Sequence, residues 1–332
     1  MAERLSPRER LHATLRGESV DRPAWSLWRH FYETEATPEG LAGSMLGFQN
    51  AYQFDFMKVN PRACYHIQDW GVQIQYSGNA QQGPKIVDLP VKSPSDWQKI
   101  QPLKSSEGVL GEHLQALRLI RDGLHGQIPF IMTVFNPLSL AGDLMESDQA
   151  LRQHLQEAPE LVHQGLAAIT ETFVDYTKAV LDLGASGIFF ATTSVASRDF
   201  MTPDEYRVFG RPYDLQVLAA AQGAEFNLLH VCGDHNMLFD LADYPVHAVN
   251  WAATSPTNPS IGEAAKLKPA LVAGISREAL TAPTPEEALR EAKQAREQSG
   301  GKHWALGPNC SIPVDSRPET IQALRAFVIG VN

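Results

Sequence analysis

The chain predicts a (β/α)8 barrel of the TIM type, and three observations carry that prediction. Short apolar runs rich in β-branched and aromatic residues recur eight times along the 332 residues. Long amphipathic stretches of helical period separate them, as in βαβ units that build a parallel sheet. No glycine-rich dinucleotide fingerprint is present, which favours a closed barrel over an open doubly wound sheet.

The apolar runs fall at residues 24–28, 54–59, 129–134, 187–192, 226–231, 246–251, 270–275 and 303–306. Each is short and bounded by turn-forming residues, as a buried strand requires. Amphipathic helices are expected at 111–124, 158–183, 203–222 and 285–299. Two starts are marked by capping chemistry: Thr202-Pro203-Asp204-Glu205 and Thr284-Pro285-Glu286-Glu287. Each puts a hydroxyl before a proline at the first helical position and acids in the first turn, where the helix dipole favours them. The segment 76–96 is polar and punctuated by Gly and Pro, and reads as an irregular excursion after the second strand. With no internal repeat or low-complexity tract, residues 1–332 read as a single barrel domain.

Composition narrows the function classes. The hydrophobic fraction of 43% suffices for a large core, and 20% of residues are charged. A net charge of -10 without a Lys/Arg cluster argues against a nucleic-acid surface. Three cysteines are too few for a disulfide framework and suit a reducing interior. The start, Met1-Ala2-Glu3-Arg4-Leu5, is charged and lacks the apolar region of a signal peptide. No apolar run approaches the roughly 20 residues of a membrane helix. The expectation is a cytoplasmic enzyme without a membrane partner; exposed barrel helices are compatible with a homodimer.

Barrel enzymes carry their sites on the loops after the strands' carboxyl ends. Those ends offer Arg29 and His30, then Lys58, Asn60 and Arg62, then Asn136, then Thr192, Thr193 and Ser194. The later ones offer His230 and Cys232, Asn250, Ser276 and Arg277, and finally Asn309 and Cys310. His230 and Cys232 are two apart on one strand and share a face. Cys310 can reach them from the last strand across the mouth. One imidazole and two thiolates are a zinc-type donor set, and three protein ligands leave one position for chemistry. An external thiol at that position would be activated as a nucleophile.

Several stretches resemble the uroporphyrinogen decarboxylase superfamily across nearly the whole chain. They are Arg8-Glu9-Arg10, Leu15-Arg16-Gly17-Glu18, Val20-Asp21-Arg22-Pro23, Asn136-Pro137-Leu138-Ser139-Leu140, Leu183-Gly184-Ala185, Leu306-Gly307-Pro308-Asn309-Cys310-Ser311-Ile312-Pro313 and Arg317-Pro318-Glu319. The resemblance implies the same barrel. True decarboxylases of that superfamily hold an acidic tetrapyrrole with an R-x-x-x-R pair, an aspartate, a tyrosine and a late histidine. Here Arg29 is followed four residues on by Glu33, the aspartate falls near Arg62, the tyrosine near Asp143, and the last loop reads Asn309-Cys310. A negatively charged tetrapyrrole would meet Glu33 and Asp143, which is unfavourable. The second branch resembles this chain more closely: zinc-dependent methyltransferases that move a methyl group between a corrinoid protein and a thiol, often coenzyme M. Their H-x-C and distant Cys match His230, Cys232 and Cys310, which the resemblance makes the zinc ligands. No D-x-H-x-x-G corrinoid signature occurs, so methylcobalamin would arrive on a separate protein.

Other residues keep two readings. Arg29 is a candidate catalytic residue that anchors a substrate acid, or the partner of a loop acid such as Glu33. Asn250 either lines the pocket or orients a metal ligand. Asp55 reads as a structural cap, and Cys64 as a small buried hydrophobe. His30, His66, Asp234 and His235 lie near the mouth without a role fixed by sequence. A slow decarboxylase, or a barrel with a purely structural zinc, are the competing accounts.

Overall fold

The computed structural model describes residues 4–330; positions 1–3 of the charged start and 331–332 of the expected domain lie outside the described residues. The strands are β1 (Ala24–Trp25), β2 (Met57–Val59), β3 (Gln73–Gln75), β4 (Lys85–Asp88), β5 (Phe130–Phe135), β6 (Gly187–Thr192), β7 (Leu228–Val231), β8 (Ala248–Trp251), β9 (Ala270–Ile275) and β10 (Trp304–Pro308). Eight of them form one parallel sheet in the order β1-β10-β9-β8-β7-β6-β5-β2. The edge strands β1 and β2 meet through the Asp55 N–H on the Trp25 carbonyl at 2.9 Å and the Ser26 hydroxyl on the Phe56 carbonyl at 2.7 Å. The expected barrel is therefore present, with each of its eight strands inside or overlapping the residues predicted for it.

Alternation along the strands sorts the core into two layers. Residues such as Ala24, Phe56, Ile131, Leu228, Ala248 and Val272 point inward and fill the barrel. Their neighbours, such as Met57, Met132, Leu229, Val249 and Leu271, point outward under the helices. The same parity carries His230 and Asn250, in register on β7 and β8, to the inner face.

Asp55 seals the seam between β1 and β2. Its buried carboxylate accepts from Arg10 and Arg22 at 2.7 Å each and from the Trp25 N–H at 3.1 Å. The structural reading of Asp55 thus holds.

Three local expectations are corrected. Within 76–96, residues 85–88 are not irregular: they form β4, which pairs antiparallel with β3 in a separate hairpin. Lys85, Ile86, Val87 and Asp88 are all exposed, so no buried face writes an alternating pattern into the sequence. The helix expected over 203–222 is two helices, Pro203–Phe209 and Arg211–Ala220, broken at Gly210 and Pro212. At Gly210 a Cβ would lie 2.7 Å from the Tyr206 ring, so the packing there demands glycine. Thr202 caps as expected, in a reciprocal box with Glu205, whereas the helix Glu286–Gln298 has Pro285 at its cap position and no side-chain cap bond. Among the described residues no helix is long and apolar enough to cross a membrane.

Candidate metal centre

His230 is the penultimate residue of β7, and Cys232 is the first residue beyond its end. The chain then turns through Gly233 at φ 81°, a left-handed conformation suited to glycine. Cys310 follows β10, placed there by the Asn309 N–H on the Ile275 carbonyl at 2.8 Å and the Asn309 amide on Thr254 Oγ1 at 2.6 Å. One ligand atom each from His230, Cys232 and Cys310 lies within 4.8 Å of the others. No fourth His, Cys, Asp or Glu among the described residues joins them.

The protonation of His230 follows from its neighbour. Fully buried Asn250 donates both amide hydrogens, to the Val272 carbonyl at 2.6 Å and the Pro308 carbonyl at 2.8 Å. Its Oδ1 is left as an acceptor, 2.6 Å from His230 Nδ1. His230 therefore donates through Nδ1, and Nε2 carries a bare lone pair. That Nε2 is buried without any hydrogen-bond partner. An imidazole fixed this way beside two sulfurs fits a zinc ion, because a ligating histidine characteristically donates its other N–H to a carbonyl-type oxygen. Asn250 accordingly fixes the His230 ring and does not line the cavity.

The two thiols are not equivalent. Cys232 donates toward Cys310, so Cys310 sits well below the usual thiol range. The same pairing, together with burial, pushes Cys232 up. The pair gives up its first proton readily, as a thiolate site requires.

Lined in part by the His230, Cys232 and Cys310 side chains lies a cavity of about 370 Å³, toward the small end of the roughly 300–1,000 Å³ of small-molecule sites. His30, His66, Arg62, Cys64 and Arg277 line it, together with Lys58. Its wall contains no Asp or Glu. His30 is tied to Glu35 at 3.2 Å and stacks on Tyr32, while His66 Nε2 meets Asp143 at 2.8 Å. Arg62 is engaged by the Ala36 carbonyl and Glu112. Cys64 is half-buried in the cavity wall and not fully buried as expected, and burial pushes its thiol up to about 11.

Other sequence-predicted positions fall elsewhere. Arg29 is not in the cavity wall; its Nε bonds the His30 carbonyl at 3.1 Å and its guanidinium packs on Phe31. Neither Glu33 nor Asp143 lines the cavity, so the expected repulsion of an acidic ligand by those two residues is corrected. Asn136 caps the helix Pro137–Asp143 and bonds buried Asp214, a structural task. His235 and Asp234 are exposed and tied to loop partners. Lys58 stood among the strand-end residues without a role, although its inward parity with Phe56 on an apolar strand marked it.

Eight parallel strands around a mouth bearing one imidazole and two thiols define the class: a (β/α)8 barrel with a three-ligand candidate metal centre. The chain belongs to the uroporphyrinogen decarboxylase (URO-D) family, whose model matches residues 6–330. It is 31% identical over 221 residues to the methylcobamide:CoM methyltransferase MtaA of Methanosarcina barkeri, covering 64% of this chain and 61% of that protein. It thus spans about three fifths of that relative. It is 24% identical over 243 residues to the methylcobamide:CoM methyltransferase MtbA of Methanosarcina acetivorans, covering 69% of this chain and 70% of that one. A solved methyltransferase from Methanosarcina mazei shares the fold at a TM-score of 0.81, with 22% identity over 97% of this chain and 98% of that one.

Proposed function

We propose that this chain is a single-barrel, zinc-dependent methyltransferase that passes a methyl group from a methylated corrinoid, carried on another protein, to a small thiol in the cytoplasm. The observation that carries it is the buried, bare Nε2 of His230 beside the Cys232 and Cys310 sulfurs at the mouth of a small-molecule cavity. His230, Cys232 and Cys310 would hold the zinc, and Asn250 would keep His230 in the ligating tautomer. When bound, zinc supplies a Lewis acid that keeps an added thiol in its nucleophilic thiolate form. That no fourth His, Cys, Asp or Glu joins the three among the described residues supports an open position over a closed structural one. Trp28, Phe135 and Phe189 in the cavity wall exclude water around the sulfur. A decarboxylase account gains no support from a wall without a carboxylate.

The test uses zinc-loaded protein, free methylcobalamin and a panel of small thiols. Thiol-dependent demethylation of the cobalamin, read by its visible spectrum, is expected from wild type and not from Cys310→Ser. Equal rates in both proteins would remove the proposal.

A further inference from the structure

Lys58 is the one lysine in the cavity wall, and its surroundings do not account for its charge. It points inward from β2 with 4% exposure. Its Nζ has a single polar partner, the neutral Asn60 Oδ1 at 2.6 Å. The rest of its surroundings are aromatic, with the Phe189 ring centre at 4.6 Å and that of Trp28 at 5.9 Å. Lys58 forms no ion pair among the described residues. The other buried cations are paired, Arg10 with Asp21 and Asp55 and Arg62 with Glu112. A buried ammonium without a counter-charge is costly, and cation–π contacts make up only part of that cost. Burial pulls Lys58 down to about 7. An anion beside the amine would favour its charged form.

The position suggests which anion. Phe189, under the Lys58 ammonium, also stacks on His230, with ring centres 5.2 Å apart and planes at 25°. Lys58 and the His230 imidazole therefore share one aromatic ring, and Lys58 and Cys310 line the same cavity. A divalent cation with a neutral imidazole and two thiolates is electrically neutral. A third thiolate makes that assembly an anion in a cavity whose wall contains no carboxylate.

We propose that Lys58 is the built-in counter-cation for the sulfur of the incoming thiol, a positioning residue that favours the thiolate at the fourth position whatever the rest of the thiol carries. The inference rests on the thiol reading above. It differs from an anchor for an acidic tail, which would discriminate between thiols by their remote group.

The experiment measures dissociation constants of two probes, neutral 2-mercaptoethanol and acidic 3-mercaptopropionate, on the full chain by calorimetry. Zinc content and far-UV circular dichroism are read on the same samples. Lys58→Met is expected to bind both probes about 10–100-fold more weakly with zinc unchanged, the scale of a lost buried charge pair. Asn60→Asp is the second variant: it gives Lys58 a permanent carboxylate partner without opening a hole, and is expected to weaken both probes likewise. Unchanged affinities in both variants, or a loss confined to 3-mercaptopropionate, would overturn the inference. A wild type without zinc would instead overturn the thiol reading beneath it, so the two failures are told apart.

Discussion

Asn250 settles the chemistry of His230, because both its hydrogens are committed to backbone carbonyls and only its oxygen is left to face the ring. Removing it frees the imidazole to rotate or to change tautomer. Asn250→Ala is expected to weaken zinc binding about 10–100-fold, the usual cost of losing such a partner, while the barrel stays folded. Competition with a chromogenic chelator measures this, and an unchanged affinity would reduce Asn250 to a packing residue. At this scale the convergence of His230, Cys232 and Cys310 was readable because zinc-type chemistry restricts residue type so strongly that they had few rivals. Arg29 was misplaced for a reason of parity. Ala24, Trp28 and, by alternation, Ser26 take the inward positions, so the next residue falls on the other face. The same rule points Lys58 inward with Phe56. Asn250's hydrogen bonds could not be read, since they depend on β8, β9 and β10 lying side by side.

Among the elements, the helices around β5 and β6 are joined by a buried polar knot. Asp214, on the helix Arg211–Ala220, accepts from the Tyr206 and Tyr244 hydroxyls at 2.7 Å each and from the Asn136 amide at 3.0 Å. Burial nevertheless dominates and raises Asp214 to about 6 from the ordinary 3.8. A raised acid favours the folded state when protonated; that contribution is full below the unfolded value and is lost as pH rises through about 6. Wild type should therefore gain stability over Asp214→Asn as pH falls from 6 to 4, by on the order of 1–3 kcal/mol. Urea denaturation at several pH values checks this, and a difference that does not vary with pH would contradict it. Elements with a buried face, such as β6 and β9, were legible to the residue. The β3–β4 hairpin was not, because both its strands lack a buried face and its register is set by backbone pairing alone.

For the molecule as a whole, the core is independent of the metal centre. The barrel interior is filled by apolar side chains from Leu11 to Ala305, and the larger layer lies between sheet and helices. Chelator-stripped protein should keep its far-UV circular dichroism and a cooperative melt, losing only the linkage contributed by the bound ion. Unfolding on stripping would point to a structural zinc instead. The barrel could be read from the sequence because its repeated apolar runs write one architecture many times over. Net charge gave no such guide to the site: a chain of net charge -10 encloses a cavity lined by lysine, arginine and histidine without a carboxylate. The most direct test of the zinc–thiol account is metal content by mass spectrometry on protein purified without chelator, wild type beside Cys310→Ser. The account predicts about one zinc per chain in wild type, a three-ligand site's full complement, and its loss in the variant. No zinc in either protein, or the same content in both, would contradict it.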